Sequence, residues 1–138
     1  MRDQIVPRNL GLKPTGAGLN LDIDYAGYVE LTPAISALGA LGQETRLNTF
    51  RLLVRHEPDG LAAGEVARQL DVPQNTMSAH LAILARAGLV RSERHSRSII
   101  YRADLDGLRE LMLFLVKDCC AGSAELCAPL VAELAPCC

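Results

Sequence analysis

The chain lacks several features that define common classes of protein. Of its 138 residues none is Trp, two are Phe and three are Tyr, so Ala, Leu, Val and Ile must fill the core, which suits close-packed helices. No apolar run approaches the ~20 residues needed to cross a membrane, and the first thirty residues lack the continuous apolar stretch of a signal peptide. These absences predict a soluble, cytoplasmic protein that does not bind a membrane.

Cysteine is also absent from residues 1–118, and all five cysteines lie in the last twenty residues. Reducing compartments disfavour structural disulfides, and clustered thiols there more often bind metal or carry redox chemistry. An odd number of thiols also argues against a fully paired framework. The cysteines are therefore candidates for a functional site rather than for structural bridges.

The chain has no excess of positive charge, since its net charge is −2, but the charge is uneven. Residues 86–102 contain five arginines and His95 against a single acid, Glu93. Arg suits bidentate contacts with phosphates and bases. This segment is a candidate nucleic-acid surface, and the alternative is a solvated face.

The pattern along the chain predicts a flexible N-terminal arm (residues 1–30), a folded domain (residues 31–122) and a cysteine-containing tail (residues 123–138). Thr32 and Pro33 form a helix start, with Thr as N-cap and Pro at the first helical position. "QETRLNTFRLLVRH" repeats apolar residues at helical spacing and predicts a second helix. "EPDG" should end that helix as a turn.

A helix-turn-helix follows. Two helical patterns, over residues 63–70 and 74–87, are separated by Asp71, Val72 and Pro73, and Gly88 should cap the second. Two short β-prone arms, residues 89–92 and 98–101, predict a β-hairpin wing around a basic turn. The fold class is therefore mainly α with a small β-hairpin, a winged helix-turn-helix.

The last major helix carries one long apolar stripe, which we interpret as part core and part dimer seam. We expect it to end at Gly122, and we expect a short helical tail that restarts at Ser123 and is interrupted by Pro129. The stripe consists of Leu108, Leu111, Met112, Leu115, Val116 and Cys119.

This order of elements resembles the ArsR/SmtB family of metal-sensing winged-helix repressors over residues 31–120. "LGQETRLNTFRLL" is similar to the family's second helix, with Gln43 and Glu44 in place of its usual Asp-Pro, and "GEVARQLDVPQNTMSAHLAILARAGLVRSER" is similar to its helix-turn-helix and wing. The resemblance implies a repressor rather than an enzyme. It also implies a homodimer, formed by the N-terminal and C-terminal helices, on double-stranded operator DNA.

The second helix of the helix-turn-helix should enter the major groove, where base edges display a donor and acceptor code. Arginines on the wing should meet backbone phosphates or the adjacent minor groove, which adds affinity and salt dependence more than sequence preference. The predicted DNA-binding residues are Gln74, Asn75, Thr76, Ser78 and His80 on the helix and Arg91, Arg94 and Arg97 on the wing.

Members of the family use several alternative metal sites, and three of them lack their ligands here. The thiols near the start of the helix-turn-helix, the histidines of the last helix and the N-terminal thiols are all missing. Cys119, Cys120 and Cys127 remain, and they resemble the arsenite-responsive subgroup with a vicinal Cys pair and a third Cys at the end of the last helix. Such a soft, all-sulfur set selects thiophilic ions. The inducer implied is As(III), or Sb(III), and no organic cofactor is expected.

Alternatives remain for the thiols. A disulfide between Cys127 and Cys119 or Cys120 would make a redox-responsive repressor of the same fold. A zinc or cadmium sensor would need a fourth ligand, which Cys137 or Cys138 could supply. The thiols could also be inert small hydrophobes. A thiol enzyme would need a Cys-x-x-Cys pair or an anion-binding loop beside a nucleophilic Cys, and the sequence has neither.

Overall fold

The computed structural model describes residues 31–119, Ala121 and residues 123–134, with all of their side chains except those of Asp118 and Cys119. The predicted arm, Cys120, Gly122, Cys137 and Cys138 lie outside the described residues. The elements, in chain order, are α1 (Leu31–Leu41), α2 (Glu44–Arg55), β1 (Leu61–Ala62), α3 (Ala63–Leu70), α4 (Gln74–Arg86), β2 (Val90–His95), β3 (Ser98–Ala103), α5 (Leu105–Phe114), a π-helix (Leu115–Cys119) and α6 (Ala124–Leu134).

The described chain divides into two units, of which the first is Leu31–Arg109 and the second begins at Glu110. The first unit contains the predicted winged helix-turn-helix, which confirms the fold class. Its core is formed by aliphatic side chains with one aromatic residue, as the composition predicted: Ala34, Ala37, Ala40, Phe50, Leu52, Leu53, Val66, Ala67, Met77, Leu81, Leu84, Leu89, Val90 and Ala103 are buried.

The helix-turn-helix follows from a few residues at its turn and along α4. Asp71 ends α3 in the left-handed region (φ 57°), and Pro73 precedes the first residue of α4. Met77, Leu81 and Leu84, spaced four and three residues apart, put one stripe of α4 in the core with no exposed surface. Burying one such side chain contributes about 1.5–3 kcal/mol, so this stripe fixes which face of α4 meets solvent.

The wing is longer than predicted and has a third strand. The strands lie in the order β1-β3-β2, and β2 pairs antiparallel with β3 from Val90 opposite Ala103 to His95 opposite Ser98. β1 pairs Leu61 with Tyr101 and Ala62 with Ile100. The sequence analysis missed β1 because two residues are too few to display an alternating pattern.

Two glycines, Gly88 and Gly107, lie where α4, the sheet and α5 meet. Gly88 follows α4 with φ +81°, a backbone conformation that favours glycine. The backbone of Gly107, near the start of α5, approaches Gly88 so closely that a Cβ at Gly107 would overlap the Gly88 carbonyl oxygen. The N-terminal turn of α5 therefore packs directly on the end of α4.

The second unit departs from the prediction of one long α-helix, and the predicted end at Gly122 lies outside the described residues. α5 becomes a π-helix at Leu115, and Ala121 has φ +57°. Pro129 was predicted to interrupt the tail, but this prediction was wrong because α6 runs through Pro129 without a break. No residue of α6 is buried, so water can hydrate the carbonyl group that Pro129 leaves without its N–H donor. No helix in the described part of the chain is both long and apolar enough to cross a membrane.

Candidate nucleic-acid interface and thiol segment

The N-terminal half of α4 presents polar side chains to solvent. Gln74, Asn75, Thr76 and Ser78 are all exposed, while Met77 between them is buried. Asn75 Oδ1 accepts a hydrogen bond from the backbone N–H of Thr76 at 2.9 Å, which leaves the Asn75 amide nitrogen available as a donor. The Asn75 Oδ1 atom has a second lone pair, so its amide keeps the donor and acceptor that a bidentate contact with adenine uses.

Gln74 lies against the first helix of the motif. Its side-chain amide is so near Gly64 that a Cβ built on Gly64 would lie 3.4 Å from Gln74 Oε1. Gln74 therefore stands at the junction of α3 and α4, at the end of α4 that should enter the groove first.

His80 is placed differently from the other predicted residues of α4. It is only partly exposed, and its Nδ1 lies 3.5 Å from Nη1 of Arg46 on α2. Arg46 was not among the predicted site residues, because no local pattern links two positions 34 residues apart. The structure thus brings the His80 ring to α2 rather than leaving it open on the face of α4.

The three predicted wing arginines are exposed on the β2–β3 hairpin, but each has different neighbours. Arg91 lies 3.8 Å from both Glu93 Oε2 and Asp104 Oδ1. Arg94 donates to the backbone carbonyl of Ser96 at 3.4 Å. Arg97 follows Ser96 in the two-residue turn between β2 and β3, where Ser96 has φ +58°. The turn therefore projects Arg97 at the tip of the wing.

A fourth arginine of the basic segment, Arg102, has a structural role. Its guanidinium is held by Glu57, at 2.6 and 3.2 Å, and by Glu93 at 3.1 Å, and Glu57 also accepts from the backbone N–H of Ala103 at 3.0 Å. The hydrogen bond from Arg102 holds the pKa of Glu57 below its ordinary value, and the same hydrogen bond raises the pKa of Arg102. This cluster ties the turn after α2 to both strands of the wing, so Arg102 is not presented to a nucleic acid.

The thiol segment is described in part. Cys127 on α6 is partly exposed, and its Sγ donates to the carbonyl oxygen of Val116 at 3.7 Å. Cys119 is the last residue of the π-helix that contains Val116. The Cys119 side chain and Cys120 lie outside the described residues, and the described side chains contain no group of three His, Cys, Asp or Glu placed to hold a metal ion. α6 therefore returns Cys127 to the segment that ends at Cys119.

The helix-turn-helix has relatives in sequence. A family model described as a helix-turn-helix domain matches residues 41–93. The transcriptional activator HlyU of Vibrio cholerae is 34% identical over 68 residues, which are 49% of this chain and 60% of HlyU, so the match spans less than two thirds of HlyU. A solved structure of reduced HlyU from V. cholerae is 28% identical, with a TM-score of 0.50 over 61% of this chain and 86% of that one.

Solved structures extend the similarity over more of the chain. An ArsR-like transcriptional regulator from Rhodococcus sp. RHA1 is 30% identical with a TM-score of 0.60, and the match covers 75% of this chain and 91% of that chain. The homodimeric winged helix-turn-helix DNA-binding domain of Mb0332 from Mycobacterium bovis, a possible ArsR-family regulator, is 28% identical with a TM-score of 0.52. That match covers 62% of this chain and 77% of that chain.

Proposed function

The chain belongs to the ArsR-like family of helix-turn-helix transcriptional regulators, and from this premise we propose that it is a metalloid-responsive repressor. It binds double-stranded operator DNA as a homodimer and leaves the DNA when As(III), or Sb(III), binds Cys119, Cys120 and Cys127. The proposal has a DNA-binding half and a sensing half, and each is supported by a different part of the molecule.

The DNA-binding half is supported by the exposed polar end of α4 and by the arginines of the wing. An α-helix fits the major groove, and the exposed side chains of Gln74, Asn75, Thr76 and Ser78 offer the donors and acceptors that read base edges. Arg94 and Arg97 lie beyond the helix on the wing, where they can neutralise phosphates. One such motif covers a single half-site, so two copies are needed for an inverted repeat.

Dimer formation is supported by the apolar side chains that the described chain leaves exposed on its first and fifth α-helices. Leu31, Ile35 and Leu38 form a stripe along α1 and are 59%, 59% and 43% exposed. Met112 and Leu113 on α5 are 39% and 38% exposed. Apolar rows of this kind are typical of surfaces that a partner covers, and a homodimeric relative of the same fold exists.

The observation that carries the sensing half is the contact between Cys127 and Val116. α6 brings Sγ of Cys127 to 3.7 Å from the carbonyl oxygen of Val116, so the chain reverses direction between the π-helix that ends at Cys119 and α6. We call this the chain reversal. A set of three thiolates with no histidine or carboxylate partner selects a thiophilic ion. Zinc prefers four ligands in a tetrahedral array, so three sulfurs suit trivalent arsenic better.

Release of DNA follows from where the thiols lie. Cys119 closes the π-helix that continues α5, the helix that carries the exposed Met112 and Leu113. A change at this end would reshape the proposed seam between protomers and so change the separation of the two copies of α4. Because half-sites are read at one separation, DNA affinity would fall by a coupling free energy of typically ~1–3 kcal/mol.

A redox-responsive repressor is the second candidate, and the same contact favours it. Cys127 lies beside the segment of Cys119, and a disulfide with Cys119 or Cys120 would close the same chain reversal that the ion would close. The relative HlyU of V. cholerae has been solved in its reduced form. In this candidate peroxide releases the DNA, and arsenite acts only as a thiol blocker.

A titration of protein–operator complexes under full reduction tests the proposal, with a DNA site obtained by selection from random sequence. We expect arsenite to release the wild-type protein, with one ion bound per chain. Cys127→Ser should stay on DNA at arsenite concentrations that release wild type, because two sulfurs leave the chain reversal open. Release of Cys127→Ser at the wild-type arsenite concentration would contradict the three-thiol site.

The controls separate the alternatives. The double variant Cys137→Ser/Cys138→Ser keeps three sensor thiols and should respond as wild type does, whereas loss of its response would move the site to the tail. Release by peroxide but not by arsenite at one equivalent would favour the redox candidate. Release by zinc or cadmium alone would favour a divalent metal sensor.

A further inference from the structure

The contact between Arg46 and His80 gives His80 a role that the pattern of α4 does not indicate. We propose that His80 is a positioning residue, which fixes the groove-facing helix α4 to the C-terminal end of α1 through Arg46, and not a base-reading residue. This inference rests on the proposed binding of DNA and concerns how α4 is held for it.

Arg46 joins three helices. Its Nε donates to the carbonyl oxygen of Ala40 at 2.7 Å, and its Nη2 lies 3.5 Å from the carbonyl oxygen of Gly39. The last carbonyl groups of a helix have no hydrogen-bond donor within the helix, and they carry partial negative charge. At the end of α1 the guanidinium of Arg46 supplies both the donors and a positive charge. The remaining Nη1 is directed to His80 Nδ1 at 3.5 Å. A guanidinium only donates, so Nδ1 accepts.

Arg46 is itself held in place. Its backbone N–H donates to Oε1 of Gln43 at 2.9 Å, and Gln43 is the N-cap of α2. The side chain therefore starts from the first turn of a capped helix and spans from α2 to α1 and α4. Replacing the family's usual Asp-Pro by Gln43 and Glu44 keeps this cap.

The position of His80 on α4 separates it from Asn75 and Ser78, whereas Thr76, four residues before it, lies on its side of the helix. Successive residues of an α-helix are rotated by about 100°. His80 is therefore about 140° from Asn75 and about 160° from Ser78 around the axis. It is about 60° from the buried Met77 and about 40° from the buried Leu84. A face that points Asn75 and Ser78 at base edges thus turns His80 towards the body of the domain, where Arg46 lies.

Such a contact would set the orientation of α4 against α1. α1 carries the exposed stripe of Leu31, Ile35 and Leu38, which is expected to face the other protomer. Loosening the contact would therefore change how both copies of α4 meet the DNA, whatever the sequence of the DNA. A base-reading histidine would instead affect one base-pair position.

A mutant cycle measured on several DNA sites tests this. His80→Ala, Arg46→Ala and the double variant are titrated by fluorescence anisotropy against the selected operator and against single-base variants of it. We expect each single variant to lose about tenfold in affinity on every site, with the ranking of sites unchanged. The double variant should lose no more than Arg46→Ala alone, because Arg46→Ala already breaks the contact with His80 together with those to Ala40 and Gly39.

Two conservative variants distinguish the two ring nitrogens. In His80→Asn the side-chain oxygen falls near the place of Nδ1, so this variant should recover most of the wild-type affinity. In His80→Gln the amide reaches the place of Nε2 and should not recover it. Arg51→Ala is the charge control, since Arg51 is exposed on the same helix α2 and its removal should leave the ranking of sites and most of the affinity unchanged.

The outcomes are distinct from those of the proposed function. A loss confined to one base-pair position, additive losses in the double variant, or recovery by Gln but not by Asn would each overturn the inference while leaving DNA binding established. A wild-type protein that prefers no DNA sequence would instead overturn the proposed function, and this inference with it. Recovery by Asn also shows that the loss in His80→Ala is not a failure to fold.

Discussion

The two units of the described chain differ in how many of their side chains are buried. The helix-turn-helix and wing, up to Arg109, contain most of the buried side chains, and Leu81, Leu84 and Val66 there have no exposed surface. Among the described side chains from Glu110 onward only Leu111 and Phe114 are buried, and α6 has no buried residue. The partly buried Arg102–Glu57–Glu93 cluster also lies in the first unit.

This difference predicts which region is preformed. We expect the unit with the larger core to hold the polar side chains of α4 in one arrangement before any DNA is present. We expect the second unit, in which Leu126 is 65% and Val131 is 56% exposed, to gain order from what it binds. That division suits a regulator in which one part reads and the other part responds, and regions that respond are drawn from the less stable parts of a fold.

The sharpest way to break the comparison is to make one chemical change in both regions. Leu84 has no exposed surface and Leu126 is 65% exposed. Leu84→Ala should lower the free energy of unfolding by about 3 kcal/mol, because it removes buried surface and leaves a cavity. Leu126→Ala should change it by less than about 0.5 kcal/mol. Urea unfolding followed by circular dichroism measures both, and similar losses in the two variants would show that α6 is covered in solution.

A second test concerns the ion pairs. Glu57→Gln should cost about 2 kcal/mol at pH 7, because it removes a charge-assisted partner of the partly buried Arg102. The folded pKa of Glu57 lies below its ordinary value of 4.5, so its contribution is present above that value and is lost as the pH falls through the lowered folded pKa. Wild type should thus lose part of its stability below about pH 4.5, and Glu57→Gln should lose less over the same range.

The control for that test is Asp59→Asn, which removes a carboxylate from the same turn but from an exposed side chain. Its unfolding midpoint should match that of wild type at pH 7. An equal loss in both variants would assign the effect to net charge rather than to the cluster at Arg102.

The smallest expected effect is that of Pro129→Ala. The substitution restores a backbone N–H within α6 and should slow amide hydrogen exchange in that helix. It should change the global free energy of unfolding by less than about 0.5 kcal/mol, because α6 buries no residue. A shift of the global midpoint by several degrees would mean that α6 unfolds together with the helix-turn-helix, and the contrast between the regions would then be wrong.

The sequence predicted the first unit well because its signals are local. Pro73 and Gly88 punctuate α4, and the spacing of Leu81 and Leu84 identifies its inner face. The two-residue β1 and the contact from Arg46 to His80 could not be predicted, since they depend on segments brought together by the fold. His80 lies in a motif that closely resembles that of the family, so the sequence pattern predicted that its side chain contacts bases in the DNA groove. In the structure its ring instead lies beside Arg46 of α2.

The second unit was predicted less well because its signals conflict. The apolar stripe continues through Leu115 and Val116 at α-helical spacing, yet the backbone there widens into a π-helix. Pro129 signals a break, yet the helix continues through it. The assignment of As(III) to Cys119, Cys120 and Cys127 stays a prediction, since only the side chain of Cys127 is described.

The short strand β1 has a mechanical consequence for the choice of DNA. Ala62 pairs with Ile100 of the wing, and α3 begins at the next residue, so no hinge separates the wing from the first helix of the motif. We therefore expect the tip at Arg97 and the N-terminal end of α4 to move together. A DNA site of the wrong groove width would then have to bend or narrow to meet both, at an energy that depends on its sequence. Base pairs that the protein never touches would thereby contribute to its preference.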